Sequence, residues 1–315
     1  MSSSPEASDD PARASELAKA GSRPNPTGAP VLAARAQLEA MGFRPSKRLG
    51  QNLLQDVNMA RAIARDAKVG PGDIVLEIGP GAGFLSVHLA ELEVDLIAVE
   101  IDPRLLEVAR GVLADYPRVR WILGDALHSK HAFLPELLAA LPPSGPWHLV
   151  SNLPYSAASP ILALAGRLNN PPVSVTVLLQ TEVAERIASE PGSGQWGPLS
   201  VRIQLAFSAR IIRGVPSQLF WPRPQVDSSV LRLELRGDRP AVEDALELDL
   251  LVDRLFQHRR QAVGGLISKS LGSRELALEL LSSQSVEPTA RPETLSAATL
   301  LALSRDPRWR SRVRQ

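Results

Sequence analysis

Apolar residues follow one pattern up to about position 240 and another after it. From Asp73 the chain alternates short apolar runs with longer stretches of mixed polarity. The runs Ile74–Ile78, Leu96–Glu100, Val119–Leu123, Trp147–Ser151 and Val173–Gln180 are rich in Val, Ile and Leu. Each is a short apolar run of the kind found in strands buried on both faces. The intervening stretches, about 84–92, 103–114, 132–140 and 158–168, read as helices. This alternation predicts a parallel sheet with helices on both faces. Leu199–Phe207, Ile211–Val215 and Ser229–Leu235 read as further strands. After Gly237-Asp238-Arg239-Pro240 strand-like runs stop, and 243–315 reads as several short helices.

At the other end, residues 1–30 are Ser, Pro, Ala and charge without a hydrophobic period, and read as a disordered extension. Residues 31–42 predict a short helix, and 45–54 a loop entering a helix that begins near Asp56. The expected organisation is an extension (1–30), an α/β domain (31–240) and a helical domain (241–315). The chain has 315 residues, 44% hydrophobic, enough for a sizeable core. It has no cysteine, which excludes disulfides, thiolate metal sites and a Cys nucleophile, and points to a reducing, cytoplasmic setting. No apolar run approaches the roughly 20 residues of a membrane span, and the start lacks a signal-type apolar segment. The net charge of +1 hides a basic end, Arg305, Arg308, Arg310, Arg312 and Arg314 against Asp306, which suggests a local polyanion contact. His128 and His131 lie three apart with no third ligand spaced to complete a metal site, so no metal is expected.

Candidate chemistry gathers at the ends of the predicted strands, where open α/β sheets bind ligands. Glu77-Ile78-Gly79-Pro80-Gly81-Ala82-Gly83 joins the first strand to a helix. A dinucleotide loop, G-x-G-x-x-G, would need glycine where Phe84 stands, so this loop fits an S-adenosylmethionine site better; a tight turn without ligand is the alternative. Glu100 ends the second strand and could take both ribose hydroxyls, or be a solvated strand-end acid. Asp125 follows the third strand and could accept from an adenine amino group, or serve as a cap or turn residue. Asn152-Leu153-Pro154-Tyr155 follows the fourth. The Asn152 amide oxygen and the Pro154 carbonyl could accept from an exocyclic –NH2 while Tyr155 stacks on its base. This is a site for chemistry on adenine or cytosine nitrogen.

These residues resemble the ribosomal RNA adenine N6-dimethyltransferases, specifically those acting on bacterial 16S rRNA. The likeness runs through Lys47 to Leu54, Glu77 to Gly81, Glu100-Ile101-Asp102, Gly124-Asp125-Ala126 and Asn152 to Tyr155. It continues through Ser159-Pro160, Gln180 to Arg186, Gly197 to Val201, Phe220 to Ser228 and Phe256 to Arg260. The resemblance implies a Rossmann-like class I methyltransferase, α/β with a mostly parallel doubly wound sheet, plus a small helical domain. It implies S-adenosylmethionine held by Asn52, Leu54, Gly79, Glu100, Asp125 and Asn152, and a flipped adenine between Tyr155 and Phe220. The implied partner is 16S rRNA in the small subunit or its precursor, the implied targets are two adjacent adenosines of its 3′-terminal hairpin, and the chain is expected to be a monomer. Lys47, Arg48, Arg254, Arg259 and Arg260 are assigned to RNA phosphates, the last three as candidates for one helix face. The family usually has Phe at 49 and 53, and G-N-L-P-Y-N-I-S where this chain has Ser151, Ser156 and Ala157. Three rivals stand: the sister branch that methylates 23S rRNA and confers antibiotic resistance, a DNA amino-methyltransferase (which usually has Pro-Pro in the loop), and a non-catalytic assembly or transcription factor.

Overall fold

The structure, a computed structural model, describes residues 29–313. The stretch 1–28, most of the expected disordered extension, lies outside them. Helix α1 (Ala29–Ala40) leads through a 3-10 turn at Lys47–Leu49 to strand β1 (Leu53–Leu54) and α2 (Val57–Asp66). Then come β2 (Ile74–Ile78), α3 (Ser86–Ala90), β3 (Asp95–Glu100), α4 (Pro103–Val112), β4 (Val119–Leu123), β5 (Leu127–Ser129), β6 (Ala132–Phe133) and α5 (Pro135–Ala140). Next are β7 (His148–Asn152), α6 (Ala158–Ala165), β8 (Ser174–Gln180), α7 (Thr181–Ala188), α8 (Pro198–Gln204), β9 (Phe207–Val215), β10 (Phe220–Trp221) and β11 (Ser228–Leu235). Helices α9 (Val242–Phe256), α10 (Val263–Leu271), α11 (Arg274–Ser283), α12 (Ala297–Arg305) and α13 (Pro307–Val313) follow.

Seven strands form the main sheet in the order β4-β3-β2-β7-β8-β11-β9. The first five are parallel, and β11 and β9 add on antiparallel. From β2 the chain winds outward to β3 and β4, then crosses to β7 on the other side. The order therefore reverses between β2 and β7, and a crevice opens at their carboxyl ends. The β2–β7 ladder joins Val75 to His148 and Leu76 to Leu149 and goes no further.

Side chains of successive strand residues face opposite sides of the sheet. Leu76 and Ile78 accordingly join a core with Trp147, Leu149, Ile161 and Phe207. Val75 instead packs with Ile63, Leu89, Leu96, Val150 and Leu178. A third cluster gathers α9 to α13 around Leu251, Leu266, Leu280 and Trp309, and takes in Trp196 and Val201. Among the described residues, no helix is long and apolar enough to cross a membrane.

Two expectations are corrected. Leu199–Phe207 is not a strand: Pro198–Gln204 is helix α8. The alternation Leu199-Ser200-Val201-Arg202-Ile203 has a strand period, but helix-starting chemistry overrides it. Pro198 occupies the first turn, Ser200 Oγ accepts from Gly197 N–H, and the helix buries Ser200, Val201 and Ile203. The stretch 132–140 begins as the β5–β6 hairpin, and the helix starts only at Pro135, where proline suits the first helical position. Helix α7 and the short β1–β10 pair were not anticipated.

Candidate functional site

The crevice at the reversal of strand order is lined by the 49–54 segment and by residues that end or follow β2, β3, β4 and β7. Asn52 and Leu54 come from the segment that enters β1, Gly79 and Gly81 from the turn after β2, Glu100 and Ile101 from the end of β3. Asp125 and Ala126 follow β4, Asn152 ends β7 and Pro154 follows it. All six residues assigned from the sequence to a nucleoside cofactor thus lie on one cleft. Tyr155 and Phe220 do not line it.

The glycine turn is held open by its own backbone. Gly79 and Gly81 have φ of +72° and +61°, a region that side chains rarely enter. A Cβ on Gly81 would stand 2.7 Å from Leu53 Cδ2. Leu53, where the family usually has Phe, therefore fills the space beneath this turn, packed with Phe43, Phe84 and Leu105.

Glu100 is 3% exposed. Its two oxygens accept from Gly81 N–H and Asp102 N–H, each at 2.9 Å. Burial pushes its carboxyl up to about 7; the N–H groups of Asp102, Gly81 and Ile101 partly offset this, and the Asp102 charge adds to it. Glu77, under the same turn, is 1% exposed, and burial drives it up to about 8, offset by the Ser86 hydroxyl and reinforced by Glu100. Glu77 Oε2 has no hydrogen-bond partner among the described residues. Asp102 caps α4 through Arg104 N–H, and Arg104 also grips both of its oxygens. Burial opposes ionisation of Asp102, but Arg104 and Gln51 outweigh it and hold the carboxyl below its usual range. Asp125 is exposed at the rim, with Oδ1 accepting from Leu127 N–H at 2.9 Å, so it is a turn residue and a cleft residue at once.

Asn152 is partly buried, and its Nδ2 donates to the Asn52 carbonyl at 2.9 Å. A carbonyl can only accept, so the amide nitrogen faces Asn52 and Oδ1 is left on the other side. Ser151, fully buried just before it, donates to the Ile78 carbonyl where the β2–β7 ladder has ended. The Pro154 carbonyl, expected to accept from a target amine, is instead taken up by the first turn of α6. It accepts from Ala157 N–H at 2.9 Å and Ala158 N–H at 3.0 Å, which occupies both lone pairs. Among the described residues, no hydrogen bond reaches the neighbouring Leu153 carbonyl.

Tyr155 is half-buried, with its hydroxyl 2.7 Å from Ser228 Oγ; burial raises its pKa and the Ser228 bond offsets this. Phe220 is 4% exposed, paired across from Leu54 and packed with Val150, Leu178 and Val230. The two rings expected to sandwich a base are therefore not both at the surface. Trp221, beside Phe220, is partly exposed and tilts against Phe43 at 6.3 Å, with Arg104 over the other ring at 4.8 Å.

The basic candidates separate. Arg254 is on α9 and its Nε donates to Ser270 Oγ, but that helix stops at Phe256, so Arg259 and Arg260 sit in the turn beyond rather than on its face. Arg259 lines a groove between the two halves with Arg186, Arg202 and Gln257. Arg48 is exposed; the Lys47 side chain lies outside the described residues. Of the basic carboxyl end, Arg305 and Arg310 pair with Asp244 and Arg308 with Asp306 and Glu279, while the Arg312 and Arg314 side chains lie outside the described residues. Among the described residues, no cluster of His, Asp or Glu could hold a metal ion.

Sequence reasoning missed Gln51, Ile101 and Ala126 in the cleft, although each adjoins an assigned residue. The cleft suits S-adenosylmethionine: a buried carboxylate for a ribose diol, apolar Ile101 and Ala126 for a flat ring, and a rim acid for its amino group. The comparisons agree. Residues 42–305 match the family described as ribosomal RNA adenine dimethylase. The chain is 39% identical over 272 residues to ribosomal RNA small subunit methyltransferase A of Phenylobacterium zucineum, covering 86% of this chain and 90% of the relative. It is 38% identical to the protein of that name from Shouchella clausii, over 85% and 92%. Its fold is shared with a dimethyladenosine transferase from Plasmodium falciparum (TM-score 0.66, 21% identity, 80% and 95% covered). It is also similar to the 23S rRNA methyltransferase ErmE (TM-score 0.61, 25% identity, 84% and 100% covered). With its cleft and its sequence pointing the same way, this chain belongs to the ribosomal RNA adenine dimethylase family.

Proposed function

We propose that this chain dimethylates the N6 amines of two adjacent adenosines in the 3′-terminal hairpin of 16S rRNA, using S-adenosylmethionine, in the cytoplasm and as a monomer. The observation that carries this reading is the placement of Asn152 on the cleft that gathers Glu100, Gly79 and Asp125, with its amide oxygen left over by the bond to Asn52. Sequence relatives at 36–39% identity are named for the small subunit, which supports 16S over 23S rRNA.

The donor would be held by Asn52, Leu54, Gly79, Glu100, Asp125 and Asn152. When bound, it supplies a methyl group activated by a sulfonium. An exocyclic amine is a poor nucleophile, because its lone pair is delocalised into the ring. Asn152 Oδ1 accepts one amine hydrogen, and we assign the second acceptor to the Leu153 carbonyl in place of that of Pro154. Together they orient the nitrogen lone pair and stabilise the charge that develops on it. Water can take the proton from the product ammonium, so no strong base is needed. The base must leave its stack, at a cost of a few kcal/mol, which stacking on Tyr155 offsets by about 1–3 kcal/mol. Phe220 would have to turn out of its cluster to form the second face of the stack. In this reading residues 31–240 carry the chemistry, 241–315 contact RNA, and Arg48 from the first part joins Arg259 and Arg260 on phosphates.

The test is incubation with labelled donor and unmethylated small subunits, large subunits or naked rRNA, followed by mapping of the modified nucleotide. Adenine dimethylation confined to small-subunit RNA is expected; modification of large-subunit RNA alone would move the chain to the other branch. Asn152→Ala should lower turnover at least about 100-fold while donor affinity stays within about tenfold.

A further inference from the structure

We propose that Gln51 is a positioning residue for methyl transfer: it clamps the 46–52 segment to Asp102, and the clamped segment holds the Asn152 amide with its oxygen toward the target. This rests on the function proposed above.

Four hydrogen bonds carry the inference. Gln51 Oε1 accepts from Ser46 N–H at 2.7 Å, and Gln51 N–H donates to Ser46 O at 3.2 Å, closing residues 46–51 into a ring. Gln51 Nε2 then donates to Asp102 Oδ2 at 3.3 Å. The next residue along, Asn52, offers its carbonyl to Asn152 Nδ2 at 2.9 Å. Asp102 is itself 5% exposed, fixed by Arg104, and donates its N–H to Glu100 Oε1. A continuous path thus runs from the carboxylate on the cofactor side of the cleft to the amide on the target side.

The path matters because a carboxamide has two nearly isosteric orientations. One presents an acceptor to the target –NH2; the other presents a second –NH2, which repels it. A backbone carbonyl at the right place decides between them, and Asn52 O is such a carbonyl. Its place is set by the ring that Gln51 closes and ties down. Gly50, with φ +64°, lets this segment press against Pro154 and Tyr155.

The test compares Gln51→Met, similar in length and without hydrogen-bonding groups, in two backgrounds. Single-turnover methylation of unmethylated small subunits at saturating S-adenosylmethionine should slow about tenfold in the otherwise natural chain. In the Asn152→Ala background, Gln51→Met should change the rate less than about twofold, because there is no amide left to orient. In the ligand-free protein, exchange of the Asn152 side-chain amide protons, followed by 15N NMR, should quicken about tenfold in Gln51→Met. Equal slowing in both backgrounds would make Gln51 merely structural, and unchanged Asn152 exchange would overturn the inference. Should Gln51→Met fail to fold, Gln51→Glu keeps the acceptor for Ser46 and sets a carboxylate oxygen against Asp102 in place of the donor; it should show the same background dependence. If the natural chain leaves adenines unmethylated, the proposed function fails. If it methylates them and Gln51→Met is equally fast, only this inference fails.

Discussion

Ser151 offers a sharp test of how the crevice is held. The family usually has glycine here; this chain places a hydroxyl that is fully buried and donates to the Ile78 carbonyl. The β2–β7 ladder has ended two residues earlier, at Leu76 and Leu149, so the side chain bridges strands that are already parting. Ser151→Ala keeps nearly the same volume and removes only the donor. Stripping a buried acceptor of its partner costs about 1–3 kcal/mol, so about 2 kcal/mol is expected. In a domain of about 150–250 residues, the size of the α/β part, each kcal/mol shifts Tm by about 2–4 °C, which predicts a fall of about 4–8 °C. Ser151→Gly loses the same bond and adds about 0.5–1 kcal/mol of strand flexibility, so it should melt about 1–4 °C lower still. Calorimetric melts of the three proteins at one pH decide the matter. A Ser151→Ala protein melting within about 1 °C of the parent, or a Ser151→Gly protein melting above Ser151→Ala, would refute the bridge.

Gly81→Ala should weaken S-adenosylmethionine binding by about 30-fold or more in calorimetric titration. A side chain at φ +61° costs about 1–2 kcal/mol, and the new Cβ must also displace Leu53 from 2.7 Å away. Folding stability of the ligand-free protein should decline from pH 5 to 8 in urea titrations. Glu77 and Glu100 move from 4.5 up to about 8 and about 7, so between those values the folded chain holds more protons than the unfolded one. Their stabilising contribution is complete below about pH 4.5 and is lost as pH rises through 7 to 8, and Glu77→Gln should flatten that decline. Arg259→Ala should make the log–log salt dependence of rRNA binding shallower by about 0.7–0.9 in filter binding, whereas Arg305→Ala, whose partner is Asp244, should leave the slope unchanged.

The parallel strands were legible because burial on both faces demands runs of Val, Ile and Leu, a mark plain in β2, β3 and β8; β7 carries it only at Leu149-Val150, and the edge strand β4, with Arg120 and one buried residue, carries it weakly. Helix starts with local chemistry were legible too: Asp56 caps α2, accepting from Met59 N–H at 2.7 Å. Helix α8 was not, because Leu199 to Ile203 alternates like a strand while Pro198 and Ser200 start a helix packed on α6, α7, α9 and α12. The Pro154 carbonyl was misjudged for a similar reason. Its fate depends on α6 beginning close enough for Ala157 and Ala158 to reach back to it.

By itself, the sequence determined which chemical groups exist and that they fall at strand ends: a glycine turn, two acids and an amide, in that order along the chain. Local spacing suffices for this, since each motif is a strand terminus followed by a turn. Tertiary structure decided which of these groups meet and which oxygens remain to act. The reversal of strand order between β2 and β7 brings Glu100 and Asn152 onto one cleft, and the crossing 46–52 segment orients the Asn152 amide. Packing also withdrew Phe220 into a core and paired Arg305, Arg308 and Arg310 with Asp244, Glu279 and Asp306. Those outcomes include contacts between residues 100 or more positions apart, as between Asn52 and Asn152 or Leu54 and Phe220, and no local pattern encodes them.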